Sequence, residues 1–195
     1  MFNKHMKKHI ITLAGKNGSG KSSTGNKLAE MLGYERFSTG DFMRQMAEKK
    51  GISLEELGNL AQSDPSIDKS IDENSLKLAE MDNIIIDSRL AFHFIPDSFK
   101  VFLELAPEIA AERILKDKDN VHRQNEANAD FSDKESIIKS ITERLESERS
   151  RYKKYYNIED HTAHENFDLV IDTSLYPMEQ VAQIIYDTYQ EWLKK

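Results

Sequence analysis

Apolar and polar positions along the chain switch between a two-residue and a helical period. The first strong segment is His9-Ile10-Ile11-Thr12-Leu13-Ala14. It is short, apolar and rich in β-branched residues, as a strand buried on both faces should be. Gly15-Lys16-Asn17-Gly18-Ser19-Gly20 breaks it. From Lys21 the pattern turns helical, with Leu28, Met31 and Leu32 on one side and Gly33 as the stop. Tyr34–Phe37 predicts a short second strand, and Ser38-Thr39-Gly40-Asp41 a turn. Asp41 is the expected cap of a helix carrying Phe42, Met43, Met46 and Ala47 as core residues, ended by Lys49-Lys50-Gly51. Ser53-Leu54-Glu55-Glu56 is a capping box for a short helix through Leu60, and Asp64-Pro65 breaks the pattern again. Ile67, Ile71 and Leu78 predict a further helix to about Ala79.

Ile84-Ile85-Ile86 reads as the third strand, running into Asp87-Ser88-Arg89, and Val101–Leu105 as the fourth. Pro107 fits the first turn of the next helix, which carries Ile109, Ala110 and Ile114. Lys116 to Asp133 is polar and nearly devoid of large apolar residues, which predicts a mobile loop. Ser132-Asp133-Lys134-Glu135 forms a second capping box, before a helix with Ile137, Ile138, Ile141 and Leu145 at helical spacing. Phe167–Ile171 predicts the fifth strand, and about Pro177 to Leu193 the last helix, with Val181, Ile184, Ile185 and Trp192 on its apolar face. Strands alternating with helices predict an α/β fold with a five-stranded parallel sheet covered on both faces. The stretches near 41–80 and 116–166 fit that core poorly and read as small lobes hung on one sheet.

The chain has 195 residues, so one domain is expected. Its 27 Lys+Arg against 34 Asp+Glu give a net charge of −7, a poor prior for a nucleic-acid binder. Any anionic ligand must then be held by a local basic cluster. There is no cysteine, which excludes thiol catalysis and zinc–thiolate sites. No apolar run approaches the ~18 residues of a membrane span. The apolar run after the basic stretch Met1–Lys8 is too short for a signal peptide, so a cytoplasmic protein is expected. The six histidines suggest no metal site: His161 and His164 fall in a polar stretch without nearby ligands, and His93 reads as packed or solvated.

One motif carries chemistry. Gly15-Lys16-Asn17-Gly18-Ser19-Gly20-Lys21-Ser22 matches G-x-x-x-x-G-K-[ST] in full, between a strand and a helix as that motif requires. With Ser23 it forms the expected ATP-binding loop, whose inward amides and helix N-terminus hold phosphate. Lys21 is expected to reach the β- and γ-phosphates, and the Ser22 hydroxyl to join a Mg²⁺ shell together with Asp87. Lys16 is expected to be solvated. No guanine-reading Asn-Lys-x-Asp sequence is present, which argues against a GTPase, and the chain is short for an ATPase motor.

Ser38-Thr39-Gly40-Asp41-Phe42-Met43-Arg44 lies one βα unit after the loop, and here the chain resembles the nucleoside monophosphate kinases. The resemblance is closest to the short (archaeal-like) cytidylate kinases. Met46–Glu56, Ile86-Asp87-Ser88-Arg89-Leu90-Ala91, Phe94–Asp97 and Val101–Leu105 carry it. So do Glu143-Arg144-Leu145-Glu146-Ser147-Glu148-Arg149-Ser150-Arg151-Tyr152, Lys153–Ile158, Phe167–Ser174 and Glu179–Val181, nearly the whole chain after Ile10. It implies a P-loop kinase with an acceptor-binding lobe about 38–80 and a lid about 116–160. By the same resemblance Arg44 and Arg89 clamp the acceptor phosphate, with Thr39, Gly40, Asp41 and Asp87 beside the acceptor. A planar guanidinium suits that task because it can donate twice to one phosphate. Arg144, Arg149 and Arg151 would be the catalytic lid arginines acting with Lys21. Arg144 and Arg151 share a helix face, whereas Arg149 lies about 140° round from Arg144, so one straight helix cannot aim all three at one phosphate. The other reading of this stretch is an exposed helix with Glu143, Glu146 and Glu148 as salt-bridge partners. Arg113 would lie near the donor base or on the surface.

Two departures bear on the base. Ser88 stands where the family has glycine, and Lys69, Glu73 and Asn74 stand where it often carries arginines. The expected reaction is phosphorylation of CMP or dCMP by ATP·Mg²⁺, in a monomer without nucleic-acid or membrane partners. The alternatives are another small-molecule kinase, such as an adenylate kinase, and an ATP-dependent RNA-binding or regulatory protein using the basic stretch 144–154.

Overall fold

The structure, a computed structural model, describes residues 8–116 and 133–195. The expected loop between Lys116 and Asp133, the Ser132 end of the second capping box and most of the basic N-terminal stretch lie outside the described residues.

Strands β1 (Ile10–Gly15), β2 (Glu35–Ser38), β3 (Ile84–Asp87), β4 (Phe99–Glu104) and β5 (Leu169–Asp172) form one sheet in the order β2-β3-β1-β4-β5. Every neighbouring pair is parallel, as alternation with helices predicts. Ile11, Leu13, Ile85, Val101 and Leu103 face one side of the sheet, where α1 (Lys21–Leu32) and the last helix, α8 (Met178–Lys194), cover them. Leu28, Val181, Ile185 and Tyr189 complete this core, all within 1% of full burial. Ile10, Ile84 and Ile86 face the other side, against Leu78 of α4 (Pro65–Leu78) and Ala91 and Ile95 at α5 (Ala91–Phe94). Between β2 and β3, helices α2 (Thr39–Lys50), α3 (Leu54–Leu60) and α4 close a second, smaller core of Ala47, Leu57, Ala61 and Ile67, with Met43 and Met46 packed on it. After β4, α6 (Pro107–Lys116) packs Ala111 and Ile114 against Ile137 of α7 (Lys134–Tyr156). α7 is one unbroken helix of 23 residues.

Several local expectations are corrected. Asp41 does not cap α2: Ser38 does, accepting from the Asp41 amide at 3.3 Å, while Asp41 sits in the first turn. A hydroxyl three residues before that amide reaches it from extended backbone, which a residue already inside the helix cannot. Asp64-Pro65 starts α4 rather than only ending α3, with Asp64 as cap and Pro65 in the first turn, where its missing N–H costs nothing. Asp133 caps α7, accepting from the Ser136 amide at 2.8 Å. The short helix α5 and the single helical turn His164–Asn166 carry too few residues to show a period in the sequence.

Ile85 is fully buried at the centre of the sheet. Ile85→Ala is expected to lower unfolding free energy by about 3 kcal/mol, the usual cost of an emptied core site, in urea titration. A change under about 1 kcal/mol would show that this side of the sheet repacks freely.

Candidate active site

The tips of β1, β3 and β4 meet at one edge of the sheet, and the glycine-rich loop closes over it. Gly20 takes φ +79°, in the left-handed region where glycine carries no steric penalty, and turns the chain into α1. No side chain caps α1, so its first amides face outward at the positive end of the helix. The Ser19 hydroxyl in the same loop is buried with no partner. An uncapped helix start beside an unsatisfied buried hydroxyl suits an anion.

Asp87 ends β3 directly under this loop, 3% exposed. Lys21 Nζ lies 2.6 Å from its Oδ1, Arg36 Nη2 2.5 Å from its Oδ2, and the Ser22 hydroxyl donates to Oδ2 at 3.1 Å. Burial alone would raise this carboxyl, but Lys21 and then Arg36 outweigh it and hold it below its usual range. Arg36 is a site residue that sequence reading missed. Its chain runs from β2 beneath α1, and a Cβ on Gly25 would stand 2.9 Å from its Nε. A glycine in the middle of α1 was the available signal, since it lowers helix propensity without an evident local reason.

Lys16 is not solvated. It is half-buried and ion-paired with Glu104 at the tip of β4. Asn17 accepts a bond of 2.6 Å from Arg89, so the loop is tied to one of the two expected clamps. Arg113 on α6 donates to the Gly18 carbonyl at 3.4 Å and the Thr173 carbonyl at 2.6 Å, bracing the loop against the end of β5.

Across the loop, α7 presents Glu148. The sequence offered it as a surface salt-bridge partner, yet it is buried. Arg89 Nε stands 3.0 Å from its Oε2 and Arg144 Nε 3.1 Å from its Oε1. Burial pushes this carboxyl up, but Arg89, His161 and Arg144 together hold it far below the usual carboxylate range. Gly15, Lys16, Asn17, Arg89, Arg144 and Glu148 line one cavity of about 110 Å³, walled by apolar Phe102, Pro107 and Leu145. The structure does not bring the three expected lid arginines together, because an unbroken helix cannot. Arg149 turns away to Asp160 at 2.8 Å. Arg151 reaches Asp68 of α4 at 3.2 Å. Tyr156 adds a second tie to α4, donating to Asp72 at 2.9 Å. Burial raises both Asp68 and Asp72 above the usual carboxylate range. Arg44 lies on α2, paired with Asp41, and is not among the cavity residues. Thr39 and Gly40 open α2, about one turn before it. Among the described residues no cluster of three or more His, Asp or Glu could hold a metal by itself. No described helix is long and apolar enough to cross a membrane.

A family model described as an AAA domain matches residues 11–137. A cytidylate kinase of Methanocella arvoryzae is 40% identical over 189 residues, covering 95% of this chain and 99% of that protein. The chain belongs to the cytidylate kinase family. It is a P-loop nucleoside monophosphate kinase. An S-adenosylmethionine-dependent nucleotide dehydratase of Lacinutrix mariniflava is 36% identical, covering 93% of this chain and 36% of that longer protein. Among solved structures, a shikimate kinase from Acinetobacter baumannii superposes with a TM-score of 0.61 at 16% identity, over 95% of each chain, which shows the shared kinase fold. The phosphate loop, Asp87 and Arg89 meet at one sheet edge, which is the candidate nucleotide site of this chain.

Asp87 and Glu148 both bind protons less readily folded than unfolded. Their contribution to stability is therefore complete above about pH 4.5 and is lost as pH falls through their lowered folded values. Urea midpoints are expected to drop below about pH 4, with Asp87→Asn lower at pH 7 and flatter toward acid. Parallel curves for the two proteins would remove Asp87 from this role.

Proposed function

We propose that the chain transfers the γ-phosphoryl group of ATP to CMP or dCMP by in-line displacement. The observation that carries this is the cavity at which the ATP loop (Gly15–Asn17) meets Arg89 and Arg144. The names of the relatives support the cytosine acceptor. In this reading an oxygen of the acceptor phosphate attacks the γ-phosphorus. A new O–P bond forms as the bond to the β–γ bridging oxygen breaks, and ADP leaves. The acceptor phosphate is already anionic near pH 7, so no strong base is needed, and positioning and charge neutralisation dominate.

The loop amides and Ser19 hold the donor phosphates, with Ser23 beside them. Lys21 turns from Asp87 toward the β- and γ-oxygens. The Ser22 hydroxyl and the Asp87 carboxylate are hard oxygen donors at one place, a set that fits Mg²⁺ with phosphate and water completing its shell. Bound there, Mg²⁺ would supply charge neutralisation on the donor phosphates. Arg36 keeps Asp87 ionised and in place. Arg89 and Arg144 hold the acceptor phosphate, with Arg44, Thr39, Gly40 and Asp41 presented by α2 from the acceptor lobe. α7 is the lid helix, and its ties to Asp68 and Asp72 bring lid and acceptor lobe together over the cavity, excluding water that would waste ATP. Pairing of Arg144, Arg149 and Arg151 with acids supports a lid over an RNA-binding stripe. The enzyme is proposed to act as a cytoplasmic monomer.

Coupled ADP release with ATP·Mg²⁺ against CMP, dCMP, UMP, AMP and GMP tests the acceptor. Activity is expected to peak on CMP or dCMP. A peak on another monophosphate overturns the base, and no acceptor-dependent release overturns the reaction. Lys21→Ala is expected to lower kcat at least about a hundredfold with folding intact, the scale of a lost transition-state donor. Arg149→Ala, whose partner is Asp160, is expected to change kcat less than about fivefold. An Arg149→Ala loss as large as that of Lys21→Ala would return Arg149 to the reacting centre.

A further inference from the structure

Glu148 has a third basic neighbour that the mechanism above leaves unused. His161 Nε2 stands 3.7 Å from Glu148 Oε2, longer than a hydrogen bond. His161 is only 3% exposed, and its ring packs edge-on against Tyr152 at 4.9 Å. Its Nδ1 is buried without a hydrogen-bond partner. The imidazole is therefore buried among the cavity residues with its Nδ1 unbonded and its Nε2 3.7 Å from the Glu148 carboxylate. Buried polar groups are normally bonded, so an unbonded one at a site calls for a state in which it is used.

The cations around Glu148 supply that state. In the free protein Arg89 and Arg144 together satisfy its two oxygens. The same arginines are the proposed holders of the acceptor phosphate, a stronger and doubly charged competitor for their guanidinium donors. As they turn to it, Glu148 is left as a buried carboxylate short of donors, which is costly. His161 Nε2 lies 3.7 Å from Oε2, so less than 1 Å of approach brings it to donating distance.

We propose that His161 is a positioning residue for phosphoryl transfer, taking over Glu148 when the acceptor phosphate draws Arg89 and Arg144 away. This rests on the proposed reaction. It makes His161 a secondary partner of Glu148 in the free protein, behind Arg89 and Arg144, and its main partner in the acceptor complex. An ordinary core histidine would behave in the opposite way.

The test compares His161→Phe, which keeps a ring against Tyr152 but has no donor, with His161→Gln, whose side-chain amide can donate to Glu148. Both are measured with the unmodified enzyme for Tm without ligand, KM for ATP and KM for the monophosphate that serves best in the acceptor panel. His161→Phe is expected to raise acceptor KM at least about tenfold, the loss of one charge-assisted bond. Its ATP KM should stay within about twofold, and its ligand-free Tm within about 2 °C of the unmodified protein. His161→Gln should recover acceptor KM to within about threefold. An unchanged acceptor KM in His161→Phe overturns the inference. So does an equal rise for ATP and acceptor, a Tm loss that accounts for the effect, or a glutamine variant no better than phenylalanine. If the unmodified chain phosphorylates no monophosphate, the proposed reaction fails first and this inference falls with it, an outcome distinct from a normal enzyme whose His161→Phe variant is equally normal.

Discussion

A buried negative charge at the tip of β3 sets the terms for the rest of the site. Asp87 is nearly out of water, and an isolated carboxylate there would be protonated or would unfold the strand end. Lys21 and Arg36 keep it charged from opposite sides, and Ser22 adds a neutral donor. Each partner constrains its own element. Lys21 and Ser22 fix the start of α1 and so the phosphate loop. Arg36 fixes β2 at the edge of the sheet and requires Gly25 to leave room beneath α1. The loop's lysine is held on a carboxylate, and in the proposed reaction it is there that phosphate competes for it.

Glu148 plays a parallel part on the other side of the cavity. It gathers Arg89 from the core and Arg144 from its own helix around one buried carboxylate. Arg89 also bonds Asn17, so the glycine-rich loop and the proposed acceptor clamp share a hydrogen bond. A ligand that alters one of these contacts changes the resting partners of the other, which is the physical content of coupling between two binding sites.

The fold was almost wholly legible because its signals are local. Strand burial, the glycine stops at Gly33 and Gly51, the cap at Ser53 and the first-turn Pro107 all act over a few residues. Strand ends moved by one or two positions, since hydrogen bonding to a neighbour, not side-chain pattern, ends a strand. The glycine-rich loop was legible from its motif, and so was the nearness of Ser22 and Asp87, whereas the Lys21–Asp87 ion pair was not. Arg36, Glu148 and His161 were not. Their importance depends on which face of a helix or loop turns inward, and a mixed run such as Glu143–Arg151 shows charge on every face. The 140° separation of Arg144 and Arg149 did carry information. It required that the group be divided, and the division is between Glu148 and Asp160.

α7 is anchored at both ends and continuous between them. Ile137 packs on α6 near its start, and Arg151 and Tyr156 reach α4 near its end. At 1.5 Å per residue it is a rod about 35 Å long. A rod does not bend residue by residue; it swings. Arg144 lies about 18 Å from Tyr156 along that axis, so a tilt of about 10° about the far end carries it about 3 Å. Arg144 and Glu148 ride on the same rod, so a swing leaves their ion pair whole and instead shifts Glu148 against Arg89, which stands outside the helix, with no hydrogen bond of the helix broken on the way.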